Sequence, residues 1–464
     1  MRWMMRKLVA RLMMGVALMA PAMAWSESLS DALVAAYRNS HLLEQNQAVL
    51  RAADEDVATA VGSLLPVLSF QAKYGFSRNS DPSFFSAAES TSGSLTLALS
   101  QTLLDFGRGK LGVEIKDELV LAARASLVNV EQQVLLDAIS AYVNMSLQTD
   151  LVAAQQSNVR LNSEDLKAAQ DKFDVGEVTK TDVALAEAQL ASAKAALASA
   201  QGNFNIARER YKAAIGHYPD ALSPVPNAKI AVRTVEEARA LALRNHPVIE
   251  QAGHQAKAAD LGIELAKAQF RPELSGTVSI SRSLDEEGFF NSNENQSLGL
   301  TLDQTIYAGG RLSSGLRSAV ASSQQAHAAQ LQTGVQVSEA VGKAWSNILV
   351  ANASLIANRE QIRAAQAAYD GVKQEADLGS RTTLDVLSAE QTLLSAKAAA
   401  LQAQANLSVS QYALLSAMGL LTAEDLRLGV PTFDPEAYYN AVKTAPATST
   451  RGAKLDRILK TLGK

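Results

Sequence analysis

"VLSFQAKYGFS" (Val67–Ser77) alternates without a break. On an extended chain Leu68, Phe70, Ala72, Tyr74 and Phe76 fall on one side, and Ser69, Gln71, Lys73, Gly75 and Ser77 on the other. Apolar residues facing small polar ones over about ten positions is the pattern of an outer-membrane strand, with lipid on one face and water on the other. The chain repeats it in "SLTLALSQTL" (Ser94–Leu103), "LSGTVSIS" (Leu274–Ser281) and "SLGLTLDQTI" (Ser297–Ile306). A half-buried soluble sheet has the same period. Two details favour the membrane. The polar face is small and hydrophilic throughout, as a water-filled lumen requires. The intervening "RNSDPSFFSAAESTSG" (Arg78–Gly93) and "RSLDEEGFFNSNENQ" (Arg282–Gln296) read as long polar surface loops, each carrying a Phe-Phe pair (Phe84 and Phe85, Phe289 and Phe290) suited to an interfacial belt.

Four strands cannot close a membrane barrel, and an open strand edge in lipid leaves backbone groups without partners. Other copies of the chain must therefore complete it. Two copies give eight strands and a barrel filled by its own side chains; three give twelve and room for a pore. The pattern asks for an oligomer and does not choose its size.

The strands come in two pairs because the chain is a tandem duplication. "YRNSHLLEQNQ" (Tyr37–Gln47) matches "LRNHPVIEQAG" (Leu243–Gly253), and "LLPVLS" (Leu64–Ser69) matches "FRPELS" (Phe270–Ser275), both at an offset of 206. From "QTLLDFGR" (Gln101–Arg108) and "QTIYAGGR" (Gln304–Arg311) the offset is 203, and it still holds for "GEVTKTDVA" (Gly176–Ala184) against "GSRTTLDVL" (Gly379–Leu387). The copies are far longer than a solenoid repeat. They divide the chain into a leader (1–24), a first repeat (25–216), a linker (217–233), a second repeat (234–421) and a closing segment with a polar tail (422–464). Each repeat reads as short helix, strand, loop, strand, long helix, turn, helix.

The long helices are expected from about Asp105 to Lys172 and from about Gly310 to Asp377. At 1.5 Å per residue each would be on the order of 100 Å long. The helix after the first turn has strict heptad spacing: Val183, Leu190, Leu197, Phe204 and Tyr211, with Ala186, Ala193, Ala200, Ala207 and Ala214 three places on. Its twin carries Val386, Leu393, Ala400, Leu407 and Leu414, then Ala389, Ala396, Ala403, Ser410 and Ala417. A seven-residue period demands supercoiling, and alanine at alternate seam positions lets helices approach closely. A plain soluble coiled coil would look the same along this seam.

At the turns, Gly176 and Gly379 read as helix C-cap glycines. Thr179 with Asp182, and Thr382 with Asp385, read as N-terminal capping boxes with aspartate in place of the usual glutamate.

Composition sets further limits. Arg2, Arg6, Lys7 and Arg11 precede the short apolar "LMMGVALMA" (Leu12–Ala20) and "AMA" (Ala22–Ala24), the form of a secretory signal cleaved after Ala24. Its removal takes four basic residues and moves the formal net charge from −4 to −8, the balance of an acidic exported protein and not of a nucleic-acid binder. With no cysteine there is no disulfide, no thiol nucleophile and no N-terminal lipid attachment point. Beyond residue 24 no uncharged apolar run approaches 18 residues, so strands are expected to do any crossing. His41, His217, His246, His254 and His327 lack metal-ligand spacing, and no phosphate loop, dinucleotide fingerprint or nucleophile elbow is present. No enzyme, cofactor or metal site is expected.

The organisation resembles the TolC family of outer-membrane export channels over essentially the whole chain after the leader. The resemblance is carried by the duplicated "QTLLDFGR"/"QTIYAGGR" junctions, by Pro66 and Pro272 before the strands, and by the twin Gly-x-x-Thr-x-x-Asp turns. It implies an α+β membrane protein: a homotrimer whose single twelve-stranded outer-membrane β-barrel, four strands per chain, continues into a long periplasmic α-helical barrel. It also implies docking onto a periplasmic adaptor (a membrane fusion protein) and an inner-membrane ABC or proton-driven transporter. The family serves type I protein secretion and multidrug efflux, and the missing lipid anchor leans towards the first. By the same resemblance Thr181 and Asp182 match positions that bond an arginine of the second turn, here Arg381, as a periplasmic gate. Asp385 matches the pore constriction, and the turns at Gly176, Thr179, Gly379 and Thr382 match the tip that meets the adaptor. Two departures imply a less acidic, less tightly held constriction: Ser388 stands where a second acidic ring needs a carboxylate, and Ala376 where a tyrosine is common. The competing class is a periplasmic adaptor or coiled-coil scaffold without a pore, which would carry one helical hairpin and not two strand-loop-strand units.

Overall fold

A computed structural model describes residues 26–81, 86–284, 293–431 and 433–444. The signal segment, both Phe-Phe pairs and the tail from Ala445 lie outside the described residues. The first repeat folds as α1 (Leu29–Asn39), α2 (His41–Gly62), β1 (Val67–Asp81), β2 (Ser86–Leu104), α3 (Arg108–Asp174) and α4 (Lys180–Ile215). The second gives α5 (Val235–Asn245), α6 (Pro247–Ala268), β3 (Glu273–Leu284), β4 (Glu294–Asp303), α7 (Arg311–Asp377) and α8 (Thr383–Ala417), followed by α9 (Pro435–Val442). Corresponding helices keep their lengths: 11 residues for α1 and α5, 22 for α2 and α6, and 67 for α3 and α7. Each repeat thus opens on two helices where the sequence suggested one. The break is Ser40 in the first copy and His246 before Pro247 in the second, both extended.

The chain divides into two compact units, each drawing on both repeats. The first takes the described residues of 1–40 with 135–229 and 347–412. Its core is helical, with Leu135, Ile139, Tyr142, Tyr211 and Ile215 buried. Here Tyr142 ties the N-terminal segment to the inter-repeat linker, its hydroxyl lying 2.8 Å from the Glu27 carbonyl and 2.7 Å from that of Ser223. Every heptad-seam residue of α4 and α8 is buried or half-buried, so the seam is the packing face.

The second unit, from the described residues of 41–134, 230–346 and 413–464, holds the sheet. Strand order is β1-β2-β3-β4, antiparallel throughout, with β2 and β3 joining the two repeats. The register sorts the faces. Leu68, Leu99, Val278 and Leu298 line up across all four strands, and Phe70, Leu97 and Ile280 across β1, β2 and β3. The intervening row is Ser69, Ala98, Ser279 and Ser297, with Ser279 and Ser297 hydroxyls 2.7 Å apart. Apolar side chains therefore stand in the open: Phe70 is 69% exposed and Leu298 80%. Among the described residues β1 and β4 have no strand beyond them.

Two expectations change, and a third stands beside a qualifying observation. The stretch Arg78–Gly93 is not a long loop: β1 continues to Asp81 paired with Ser86, and only residues 82–85 between them lie outside the described residues. Serine, threonine and alanine there are small enough to extend the ladder beyond the apolar band. In the second copy β4 stops at Asp303, short of Ile306, because its partner Glu273 is preceded by Pro272, which has no N–H to continue the ladder. Finally, one 18-residue window of α3 is apolar enough by length and composition to cross a membrane. That helix buries Leu135, Ala138, Ile139, Tyr142, Val143 and Met145 in helix packing.

The strand-to-helix junctions explain the doubled motif. Phe106 (φ 53°) and Gly107 (φ 88°) are both left-handed, as are Gly309 (φ 60°) and Gly310 (φ 82°) at the twin site. Phe106 is a costly residue to place there. Asp105 compensates by accepting hydrogen bonds from the Gly107 N–H (2.9 Å) and the Gly109 N–H (2.6 Å), capping α3. Arg108 then reaches Glu273 at 2.9 Å and the Arg271 carbonyl at 3.1 Å, tying the start of α3 to the start of β3.

Candidate functional site at the twin helical turns

The two turns are built alike. Helix α3 ends with Gly176 at φ 81°, the Glu177 N–H donating to the Lys172 carbonyl at 2.9 Å. Helix α7 ends with Gly379 at φ 77°, the Ser380 N–H donating to the Glu375 carbonyl at 2.9 Å. Both are bonds from five residues on, the closure that satisfies orphan carbonyls and needs a residue without Cβ strain. Three residues later the next helix is capped. Thr179 N–H and Oγ1 donate to Asp182 Oδ2 at 2.9 and 2.7 Å, and the Asp182 N–H returns to Thr179 Oγ1 at 3.3 Å. Thr382 and Asp385 reproduce this at 3.0, 2.8 and 3.3 Å. The expected capping boxes are therefore present in both copies.

These bonds set the charge state. Hydrogen bonds from the Thr179 side chain and then its backbone hold the Asp182 carboxyl below the usual range. The Thr382 backbone and then side chain do the same for Asp385, helped by the charge of Arg381. The two acids sit near helix N-termini as fixed anions.

Arg381 is not joined to Thr181 or Asp182 among the described residues. Its Nε donates to Glu375 Oε2 at 2.8 Å, both side chains being about half exposed. Around the turns Val175 is 72% exposed and Leu378 85%, apolar side chains standing in the open.

Sequence reading passed over a buried polar group further along the same helices. Asn162, 2% exposed, donates through Nδ2 to Glu390 Oε1 and to Asn158 Oδ1, both at 3.0 Å. Glu390 is itself 5% exposed, with Asp165 on α3 and Lys373 on α7 acting on it. A packed layer of Ala365, Tyr369 and Leu393, with Leu161 against it, surrounds the group. The signal was available: Asn158, Asn162 and Asp165 recur at i, i+4 and i+7, one face of α3 that turns inward.

The comparisons with known proteins agree on one family. The family model "Outer membrane efflux protein" matches residues 32–217 and 238–420. The chain is 35% identical over 424 residues to the outer membrane efflux protein BepC of Brucella suis biovar 1 (strain 1330), covering 90% of this chain and 91% of that one. It is 25% identical over 461 residues to the outer membrane protein TolC of Escherichia coli (strain K12), covering 93% and 91%. Among solved structures, the outer-membrane channel OprN superposes with a TM-score of 0.73 at 22% identity, covering 84% of this chain and 89% of that one.

Proposed function

The chain belongs to the outer membrane efflux protein family and is an outer-membrane efflux channel with its helices in the periplasm; from that premise we propose that three copies close one twelve-stranded barrel and form a conduit from an inner-membrane transporter to the cell exterior. One observation carries this reading: a four-stranded sheet whose outer strands have free edges among the described residues while an apolar row crosses all four strands in the open. Such a sheet is unfavourable in water through its apolar face and in lipid through its edges. Pairing β4 of one copy with β1 of the next removes both liabilities, and twelve strands leave an aqueous lumen lined by the Ser69, Ala98, Ser279 and Ser297 row. The work of such a conduit is passage, without catalysis or a cofactor.

In this reading a periplasmic adaptor meets the twin turns at Gly176, Thr179, Gly379 and Thr382, where Val175 and Leu378 offer apolar contact. An ABC or proton-driven transporter supplies the cargo, a secreted protein, small molecules or both. Thr181 and Asp182 of one protomer bond Arg381 of the next and hold the tip shut. Glu375 competes for the same guanidinium within the chain, so the gate is a choice of partner for Arg381. An exposed pair of this kind is screened by solvent and weak enough for a docking adaptor to undo. Asp385 of each copy lines the constriction and favours cations. The repeats (25–216 and 234–421), with linker 217–233 and closing segment 422–464, are the units that duplication supplied.

The test is single-channel conductance in a planar bilayer, comparing the native protein with Asp182→Ala plus Arg381→Ser. Small cation-selective currents that grow several-fold in the double variant are expected. Inserted protein that passes no current in either form overturns the conduit, and equal currents in both overturn the gate.

A further inference from the structure

The buried group on α3, α7 and α8 carries an inference beyond the gate. Asp165 Oδ2 and Glu390 Oε2 are both buried, and neither receives a hydrogen bond from any other group among the described residues. Glu390 Oε1 is already served by Asn162 at 3.0 Å. Two buried carboxylate oxygens without a donor are strongly unfavourable if both groups are ionised. A proton on one of them satisfies both at once. The charges acting here come from each helix of the group: Asp165 and Glu164 on α3, Lys373 and Tyr369 on α7, and Glu390 itself on α8. Lys373 is one cation against the two facing carboxyls, and its Nζ lies 3.5 Å from the Tyr369 hydroxyl.

Placement gives the pair its consequence. Glu390 is five residues along α8 from Asp385, and Asp165 nine residues before the end of α3 at Asp174. Both are therefore about two helical turns from the tip. They belong to different hairpins, α3 with α4 and α7 with α8, so their bond spans the boundary that must part if the tip is to open. Duplication supplies a contrast. Glu187, at the position of Glu390 in the first repeat, is exposed, and the position matching Asp165 is Ala368. The latch exists once per chain.

We propose that Asp165 and Glu390 form a proton-sharing latch that fastens the two hairpins to each other above the tip and loosens when the shared proton leaves. Burial first, then the charge of Asp165, pushes the Glu390 carboxyl up to about 7, and burial raises Asp165 as well. A carboxyl raised in the packed state favours packing below its free value of 4.5, and the advantage is lost as pH rises towards 7. Acid therefore tightens this latch and mild alkali releases it. The tip acids Asp182 and Asp385, shifted the other way, stay ionised across that range.

Backbone amide exchange of residues 158–169 and 386–393, read by mass spectrometry at pH 6 and pH 8 and corrected for intrinsic rates, tests the latch without requiring a pore. Protection in the native protein falls between pH 6 and pH 8, by up to about tenfold for each pKa unit that opening relieves. In Glu390→Gln, which keeps the Asn162 bond and donates permanently to Asp165, protection stays high at both values; Asp165→Asn, which leaves burial alone to raise Glu390, weakens the pH dependence. Native protection that does not change with pH, or a fall of equal size in Glu390→Gln, overturns the proposal. Recovery of protection at pH 8 by millimolar calcium also overturns it, since the shared ligand would then be a cation and not a proton.

Discussion

Replacing Val278 and its neighbour Ser279 by arginine, one at a time, tests the face assignment on which the fold rests. The residues are consecutive on β3, so depth is matched to about 3.3 Å and only the face differs. Val278 lies in a row with Leu99 on one side and Leu298 on the other, and the next rows bring Leu97 and Ile280 above and Leu300 below. A guanidinium there is two residues along β3 from the nearest change of character on the same face. The cost for arginine at a bilayer midplane on the lipid face is about 2–4 kcal/mol per chain, or roughly 30-fold to nearly 1000-fold in the folding equilibrium. Ser279 faces Ala98 and Ser297 in the polar row, where a long cation is solvated and the cost is about 0–1 kcal/mol. Urea unfolding of protein inserted in lipid vesicles measures both. Val278→Arg should lower the midpoint strongly at unchanged m-value, and Ser279→Arg should barely move it. The reverse ranking would place lipid on the serine face, and equal losses would mean that neither face meets lipid.

Two further outcomes follow from local geometry. At Gly419 (φ 79°) an added Cβ would lie 3.0 Å from the His246 Cα and 3.1 Å from the Asn245 carbonyl oxygen, while at Gly176 (φ 81°) it would meet nothing. Gly419→Ala should therefore lower thermal stability by about 2–4 kcal/mol, summing backbone strain and a clash with main chain, against about 1–2 kcal/mol for Gly176→Ala. A scanning calorimeter reads the difference, and equal losses would contradict the packing of the Gly419 turn against the α5–α6 corner. For pH, the carboxyls of Asp182 and Asp385 are depressed below 3.8, so what their caps contribute is fully present above that value and lost only below it. Reversal potentials at pH 7 and pH 5 should show unchanged cation preference; a collapse at pH 5 would assign the selectivity to another acid.

What the sequence made legible is what repeats with a short period. Alternation placed all four strands, because a residue facing lipid and its neighbour facing water cannot be exchanged without cost. The heptads gave the seam of α4 and α8 for the same reason, and the twin turns were readable because glycine and a threonine-aspartate box each have one local use. The hairpin at Asp81–Ser86 was hidden because small polar residues carry no hydrophobic period, while the ladder itself is made by backbone groups that every non-proline residue supplies. The early end of β4 depends on Pro272, just before the neighbouring strand, a pairing that no local pattern reveals. The partner of Arg381 was equally out of reach, because Glu375 lies before the turn and arrives beside it only when the chain reverses. Glu187 and Glu390 show the limit most directly. They are the same residue at the same place in two copies of one sequence, yet one is exposed and the other lies inside the bundle facing Asp165. Nothing in the helix that carries a glutamate says whether another helix will cover it. That depends on a different segment, here the Asn158, Asn162 and Asp165 face of α3, which the second copy replaces with Gln361, Ala365 and Ala368. Duplication can write the same turn twice, and divergence of the surrounding helices then decides which copy acquires a buried polar group.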